Sequence, residues 1–595
     1  MWSVCFALSI ACVVLVPLVS LVISNSEFGR KHRFNLFNSL FGGVFVSAMF
    51  MFFPVHKAVA EASFFGVVRS LFLSVFNSMQ IFAIGCEFGV VAESMPLCPE
   101  WLAPGYNAWV SLLFVVAPVF TFGFVLSLFK NLSAHLKYLA VYFKDVYVLS
   151  ALNEKSLVLA RDIKKSFPKA AIVFTSVFNG EDGGLELLRD AAEIGAICMR
   201  QDVQSFDFDR HSAKAALSFF AISEDETENL KASLELIEKY KERVGTRLYV
   251  FSTHIECELL LNSSSKGKIK VRRINEVESL IDRVLYERGE VIFNTAKPMP
   301  DGEKKITAVV IGMGNHGTEM VKALAWFGQM DGYTLKIHAF DKDPLAGERF
   351  TAIAPELMSP KYNGVCVEGE AQYSIELHPG FDVEAWGFAE EISKLKDTTY
   401  VMIALGNDTL NINTAVNLRM YFERMGIHPK IQTIVYSSQQ KRALDGIKNY
   451  KGQPYDIEFL GDAESSFTCD VILDSELEGA ALARHLKWGD EEEFWSYGYN
   501  YRSSVASAIH MRARIVCGIP GADKAEAELS EQERAAIEVL EHRRWNAYMR
   551  SEGYVYSGSP DPTSRNDLGK MHNDLVDFSS LDEEEKRKDG SVGSR

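Results

Sequence analysis

The chain has 595 residues, 48% of them hydrophobic, and a formal net charge of −16. Residues 1–140 hold Glu27, Glu61, Glu87, Glu93 and Glu100, no Asp, and seven Lys or Arg, about +2, which leaves about −18 on the remainder. An apolar block joined to an acidic one excludes a purely soluble enzyme and a wholly embedded transporter, and the acidic balance argues against nucleic acid as a partner. Nine cysteines without a CxxC pair give neither a disulfide framework nor a zinc site.

Four apolar stretches, 2–23, 36–55, 70–92 and 107–129, are each long enough to cross a bilayer core. The first lacks a basic start and outruns a signal-peptide core, so it reads as an anchor. Arg30, Lys31 and Arg33 place the first loop inside, and Lys130, Lys137 and Lys144 place the exit of the last stretch there too. Loop 93–106 carries Glu93 and Glu100 without Lys or Arg and suits the outside, with Trp101 and Trp109 at that interface. The N-terminus then lies outside, and residues 130–595 lie in the cytoplasm beneath a cell inner membrane. Two inside loops require an even number of crossings between them, yet three stretches intervene. The block (1–140) is therefore read as spans at about 2–23, 36–55 and 107–129, with 62–92 re-entrant. That segment carries Arg69, Asn77, Gln80 and Glu87 beside Gly85 and Gly89, and polar groups at membrane depth call for a cavity or a partner. A helix followed by a glycine-containing turn is the layout of a pore loop, which makes Asn77, Gln80, Gly85, Glu87 and Gly89 candidate pore residues. The alternative is an ordinary spanning helix with a few polar groups in a bundle.

From Val146 onward, β-branched runs alternate with helical stretches, the pattern of βαβ units on a parallel sheet. The second lobe, 305–488, is the clearer. Ala308-Val-Val-Ile-Gly-Met-Gly-Asn-His-Gly317 is a strand running into GxGxxG, followed by a helix over 318–328 and a strand, Leu335–Phe340, ending at Asp341. Gly312 suits a tight turn, Gly314 lets phosphate approach the backbone, and Gly317 lets helix pack on strand. Asn315 and His316 complete the turn, with His316 read as a loop residue. Pyrophosphate would sit at the helix N-terminus and Asp341 would accept from a ribose hydroxyl, so the expected cofactor is NAD or another adenine nucleotide.

The first lobe, 145–295, has the same plan without the glycines. Ser150, Ala151 and Asn153 stand in the equivalent turn and would obstruct a pyrophosphate. The lobes also match further along: Phe219-Phe-Ala-Ile-Ser-Glu-Asp-Glu-Thr-Glu-Asn-Leu230 runs beside Val401-Met-Ile-Ala-Leu-Gly-Asn-Asp-Thr-Leu-Asn-Ile412. Glu224, Asp225 and Asp408 are read as solvated helix starts rather than metal ligands. A membrane block feeding paired Rossmann lobes, with RRINEVESLI and ISEDETENL, resembles the TrkA-N or RCK (regulator of K⁺ conductance) family. The resemblance implies cytoplasmic lobes that assemble in rings or pairs and use nucleotides or ions to regulate a membrane pore.

The C-terminal stretch has its own pattern. Leu529–Gly553 reads as a helix, with Ser530 as cap and Glu533 closing a capping box. Glu541-His-Arg-Arg-Trp545, Gly553-Tyr-Val-Tyr556, Lys570-Met-His572-Asn-Asp574-Leu and Leu581-Asp-Glu-Glu-Glu follow in order. This order closely resembles the RyR domain, the repeat named from ryanodine receptors, with residues 495–595 as a small, mainly helical domain. The resemblance implies a nucleotide-derived ligand, and His542, Trp545, Tyr554, Tyr556, Lys570 and His572 are the candidate pocket: aromatic faces for a base, cations for phosphate. Trp545 is read as core in preference to ligand contact, while Lys570 and His572 are read equally either way. The final GSVGSR breaks the expected last helix, and 529–595 is expected to be removable, because the lobes have their own sheets.

The combined expectation is an N-terminal α-helical membrane domain, two α/β Rossmann-like lobes and a helical C-terminal domain. Its function reads as a nucleotide-gated channel or pore-type effector, not an enzyme. It would sit in the lipid bilayer as a homodimer or homotetramer, bind a small nucleotide and pass a monovalent cation. The resemblances place such a design in bacterial stress or antiviral signalling. The alternatives are an NAD-binding membrane oxidoreductase, for which no catalytic constellation stands beside the glycine turn, and a non-conducting membrane scaffold.

Overall fold

A computed structural model describes residues 1–24, 36–177, 184–208, 211–212, 214–254, 257, 261, 267–358, 361–362, 365–366, 373–448, 451–452, 454–473, 475–558 and 565–593. Arg30, Lys31 and Arg33 lie outside the described residues. The chain divides into two compact units, Met1–Lys137 and Tyr138–Arg595.

The first unit is built on α1 (Trp2–Ser24), α2 (Leu36–Val59), α3 (Phe64–Phe82) and the start of α4 (Ala103–Leu139). By length and composition, Phe41–Val59, Phe64–Phe82 and Ala103–Thr121 are apolar enough to cross a membrane, and Trp2–Val16 is a shorter apolar helical run. Residues 64–82 form one continuous helix of 19 residues. Its buried residues are Gly66, Ser70, Ser74, Asn77 and Ser78, joined in the last turn by Ile81 and Phe82, while Phe64, Phe65, Phe72 and Phe76 are exposed. Polarity is thus inverted relative to a soluble helix, as suits apolar surroundings. The serines stay buried because each satisfies itself. Ser70, Ser74 and Ser78 Oγ donate to the carbonyls four residues back, at 2.7, 2.6 and 2.7 Å. Small residues every fourth position let α2 approach closely, and Asn77 Nδ2 lies 3.0 Å from His56 Nε2 of α2.

The second unit opens with two lobes of the same design. In the first, β1 (Val146–Leu149), β2 (Ala171–Phe174), β3 (Ile197–Cys198), β4 (Leu217–Ala221), β5 (Thr246–Phe251) and β6 (Lys270–Ile274) form a sheet in the order 3-2-1-4-5-6. All its pairs are parallel. The helices used below are α5 (Glu154–Ser166), α6 (Glu226–Tyr240) and α7 (Glu276–Arg288). A short antiparallel strand, β7 (Lys297–Pro298), leads into β8 (Lys304–Ile311), α8 (Asn315–Phe327) and β9 (Tyr333–Asp341). After a two-stranded ribbon, β10 (Lys361–Tyr362) and β11 (Val365–Cys366), come β12 (Tyr373–Pro379), β13 (Tyr400–Ile403), α9 (Asp408–Met425), β14 (Lys430–Ile434) and β15 (Ile457–Leu460). The large strands pair in the order β12-β9-β8-β13-β14-β15, again parallel. Counted from the first large strand this is once more 3-2-1-4-5-6, the doubly wound nucleotide-binding order.

The chain continues through α10 (Glu476–His485), α11 (Gly498–Val516) and α12 (Glu531–Ser551). It then forms a small sheet of β16 (Val555–Tyr556), β17 (Arg565–Asn566) and β18 (Met571–His572), and ends in α13 (Glu583–Gly593). Two expectations are corrected here. The C-terminal residues do not form a removable body: Ile509, Ala513, Ala547, Tyr548, Met549 and Leu575 belong to one core with Trp326 and Phe327 of α8 and Leu280 of α7. Nor does the glycine-rich end break the last helix, which runs to Gly593. A Cβ on Gly590 would lie 2.7 Å from Glu538, and one on Gly593 would lie 2.5 Å from Ile537. These glycines allow closeness to α12 and lower the helix propensity of α13.

Candidate nucleotide site

Strand β8 ends at Ile311 and the chain turns sharply into α8. Gly312 has φ +91°, and a Cβ there would lie 2.4 Å from the Ala404 carbonyl oxygen. A Cβ on Gly317 would lie 1.6 Å from the Gly312 carbonyl oxygen, so no larger residue lets α8 sit on its strand. Gly314 is different: a Cβ there would meet nothing within 4 Å. Two glycines therefore serve the fold, and the third leaves open space in front of a helix N-terminus.

That N-terminus is bare. Gly314 is the N-cap of α8 and supplies no side-chain cap, and Gly314 and Asn315 are exposed. Four other helices are closed by a side-chain oxygen: Asn153 caps α5, Asp225 caps α6, Asn275 caps α7 and Asn407 caps α9, whereas Ala346–Ile353 after β9 and Trp386–Lys394 after β12 lack a side-chain cap as α8 does. Unsatisfied N–H groups and the positive end of the helix dipole make α8 the natural anion seat. Asp341 ends β9 beside it. Its carboxylate accepts the Met313 N–H at 2.6 Å and the Asp343 N–H at 2.7 Å, bracing the turn while keeping lone pairs for a hydroxyl. His316 is a first-turn helix residue rather than a loop residue. Its Nδ1 lies 3.3 Å from the Tyr436 hydroxyl, and burial pushes the imidazole down to about 4. It is neutral at pH 7 and adds no charge at this end of the helix.

The first lobe is sealed at the same place. Asn153 Oδ1 accepts the Ser156 N–H at 2.8 Å, Ser156 Oγ accepts the Asn153 N–H at 2.9 Å, and Asn153 Nδ2 donates to the Ile222 carbonyl at 2.8 Å. Ser150 Oγ accepts the Ile222 N–H at 2.9 Å. Side chains fill what glycine leaves open in the second lobe.

The internal repeat reaches individual bonds. Asn229 accepts the Ser223 N–H at 2.7 Å and donates to the Phe251 carbonyl at 3.0 Å. Asn411, eleventh in its matched segment as Asn229 is in its own, accepts the Leu405 N–H at 2.7 Å and donates to Ile434 at 2.9 Å. Glu226 accepts the Thr253 N–H at 2.8 Å, and Asp408 accepts those of Tyr436 and Ser437 at 2.9 Å. These acids tie a helix start to the end of the next strand. Asp225 caps through the Thr227 N–H at 2.9 Å.

The six C-terminal candidates are brought together only in part. Trp545 lies between two imidazoles, its centroid 5.8 Å from His542 and 5.0 Å from His572. Tyr556 pairs with His572 across β16 and β18. His542 is turned inward: Nε2 lies 2.9 Å from the Val576 carbonyl and Nδ1 3.1 Å from Asp589. Tyr554 donates to Asp567 at 2.8 Å, and Lys570 Nζ donates to the Glu552 carbonyl at 2.6 Å. His572, pushed down to about 4 chiefly by burial, accepts the Asp574 N–H at 3.1 Å. Trp545 is only partly buried, packed against the core rather than within it. Asn77 of the pore candidates is buried against α2, Gln80 is half-buried, Gly85 and Glu87 are exposed after α3, and Gly89 is exposed at the start of a short helix, Gly89–Ala92.

Sequence reasoning missed a cavity of about 580 Å³ between the first lobe and α11, lined by Arg272, Arg273 and Asp282 on one side and Tyr501, Arg502 and Arg512 on the other. Burial, then Glu278, raises the Asp282 carboxyl well above the usual range. The available signal was RRINEVESLID itself, where adjacent arginines precede three acids.

No family model matches the chain, and no curated protein matches it. Among solved structures, the crystal structure of a GsuK mutant aligns over 73% of this chain and 95% of its own, at 13% identity and a TM-score of 0.31. A dipicolinate synthase polypeptide from Bacillus halodurans aligns over 55% of this chain and 92% of its own, at 12% identity and a TM-score of 0.19. Neither likeness adds to what the strand order establishes by itself.

Proposed function

We propose that the chain is a multipass membrane protein whose second lobe binds an adenine nucleotide and whose first unit changes membrane permeability in response. The bare N-terminus of α8, with open space at Gly314 and a carboxylate at Asp341, carries this reading. Pyrophosphate would take the amides and a ribose hydroxyl would take Asp341. Tyr138, in the last turn of α4 and the first residue of the second unit, packs edge-on to Phe206 and Phe208 of the first lobe at 5.1 and 5.5 Å. Nucleotide binding that favours one lobe arrangement would reach the membrane through that helix, provided the two states bind it differently. The RyR-type region is the second candidate input, joined to α8 by the Lys322–Glu552 pair at 3.2 Å. No chemical turnover is proposed, and steady NADH oxidation by the purified chain would overturn that.

Gly314→Asp separates binding from folding. Gly314 sits at φ −70°, ψ −166°, which any residue adopts, and Asp is a good N-cap. The variant should keep its stability or gain about a few tenths of a kcal/mol while losing adenine-nucleotide affinity by about 100-fold, about 2.7 kcal/mol. The same change at Ala151 should leave affinity unaltered. Calorimetry with ATP, ADP and NAD on the full chain in detergent checks both, and liposome flux on the same variants reports the output. If wild type binds none of the three, the glycine turn is not the input.

Topology has its own test. Single cysteines in 93–106 should be labelled from outside in whole cells and those in 24–35 should not; external labelling of 24–35 would reverse the orientation.

A further inference from the structure

Strands β9 and β12 form the edge pair of the second lobe, and their register sets His338 opposite Glu376 and Phe340 opposite His378. With side chains alternating along each strand, His338, Glu376 and His378 share one face. His338 Nδ1 lies 3.0 Å from His378 Nε2, and Glu376 carboxylate oxygens lie 3.6 Å from the first and 3.7 Å from the second. The His378 ring stacks on Phe340 at 4.2 Å and an 8° tilt, which fixes its plane. Both imidazoles are buried, at 3% and 9% exposure, whereas the Glu376 side chain is half exposed.

We propose that His338, Glu376 and His378 form a binding site for a divalent transition-metal ion of the zinc class. Two imidazole nitrogens and one carboxylate oxygen are the ligand set such ions prefer. Bonds of about 2.0–2.2 Å to a tetrahedral ion imply ligand–ligand edges of roughly 3.3–3.5 Å; the three ligand atoms lie within 4.8 Å of one another, with the two Glu376 distances above taken to different carboxylate oxygens, so a rotation of that half-exposed carboxylate would close the set. Two neutral imidazoles and one carboxylate leave one positive charge on the ion, and its fourth position opens on the solvent side, where water completes the shell. Lys336 Nζ now holds Glu376 at 2.9 Å and would swing away as the ion took over that charge. The ion would fasten the edge strand to β9, the strand that ends in Asp341.

The test uses the full chain in detergent, stripped with a chelator and titrated with zinc chloride by calorimetry and with cobalt(II) by visible absorbance. Wild type should take up one site-dependent equivalent of zinc, with cobalt bands of a four-coordinate nitrogen–oxygen site. His378→Ala should lower the affinity at least about 100-fold. Glu376→Gln, half exposed and similar in shape, should lower it by about tenfold without disturbing the fold, so it decides the matter should the histidine variant misfold. Absence of zinc uptake by wild type at tens of micromolar, or equal uptake by wild type and Glu376→Gln, would reduce the cluster to a histidine–histidine hydrogen bond on a sheet face.

Discussion

Replacing Glu541 by Ala is expected to unfold much of the second unit. Glu541 is 2% exposed and lies between two buried guanidiniums. Arg544 donates to Oε1 from Nε at 3.1 Å and from an Nη at 2.8 Å, and Arg514 donates to Oε2. Arg514 also holds His510 Nδ1 at 2.8 Å, and His510 Nε2 lies 2.7 Å from the Gln329 carbonyl. The flanking arginines keep the Glu541 carboxyl far below the usual carboxylate range despite burial. Removing it leaves two positive charges in a dry core, at a cost of about 3–5 kcal/mol. Domain stabilities are only about 5–15 kcal/mol, so the loss should show as a large drop in thermal midpoint and rapid proteolysis. Substituting Met at 514, 541 and 544 together should recover most of that stability, because no charge is then left alone. A single Glu541→Ala variant that melts with wild type would mean that water reaches the network.

Deleting 529–595 is expected to do more. It withdraws Leu540, Ala547, Tyr548, Met549, Tyr554 and Leu575 from the buried core, most of them from the part shared with α8. Each fully buried large apolar side chain is worth roughly 1.5–3 kcal/mol. The deletion also takes Glu541 from Arg514, and Glu552 from Lys322 and Arg502. The truncated chain should accumulate poorly, with its second lobe open to protease while its first lobe persists. A truncated protein whose second lobe keeps its protease resistance would show that α12 and α13 only lean on a finished fold.

The sequence made the scaffold legible because backbone rules are local. Alternating β-branched and helical runs, the GxGxxG turn and Asp341 are all written within short windows, and the structure builds two doubly wound sheets from them. The joining of lobe and C-terminal region was not legible. Its centre is made of Arg514, Glu541 and Arg544, and such residues read as surface until a partner from a distant helix is known. The candidate metal ligands were hidden for a related reason: His338 and Glu376 lie 38 positions apart and meet only through strand register. The ladder of Gly66, Ser70, Ser74 and Ser78 was readable at every fourth position.

The sealed turn of the first lobe fixes a stoichiometry. On the proposed reading, each chain brings one uncapped glycine turn and one already closed by Asn153 and Ser156, so saturation would mean one nucleotide per chain at these turns, whatever the size of the assembly. The chain carries two lobes of one design, one of them capped at this turn by its own side chains. Cooperativity between filled lobes of neighbouring chains would then have to be relayed across lobes that never change occupancy, and their stiffness would set how sharply an assembly responds.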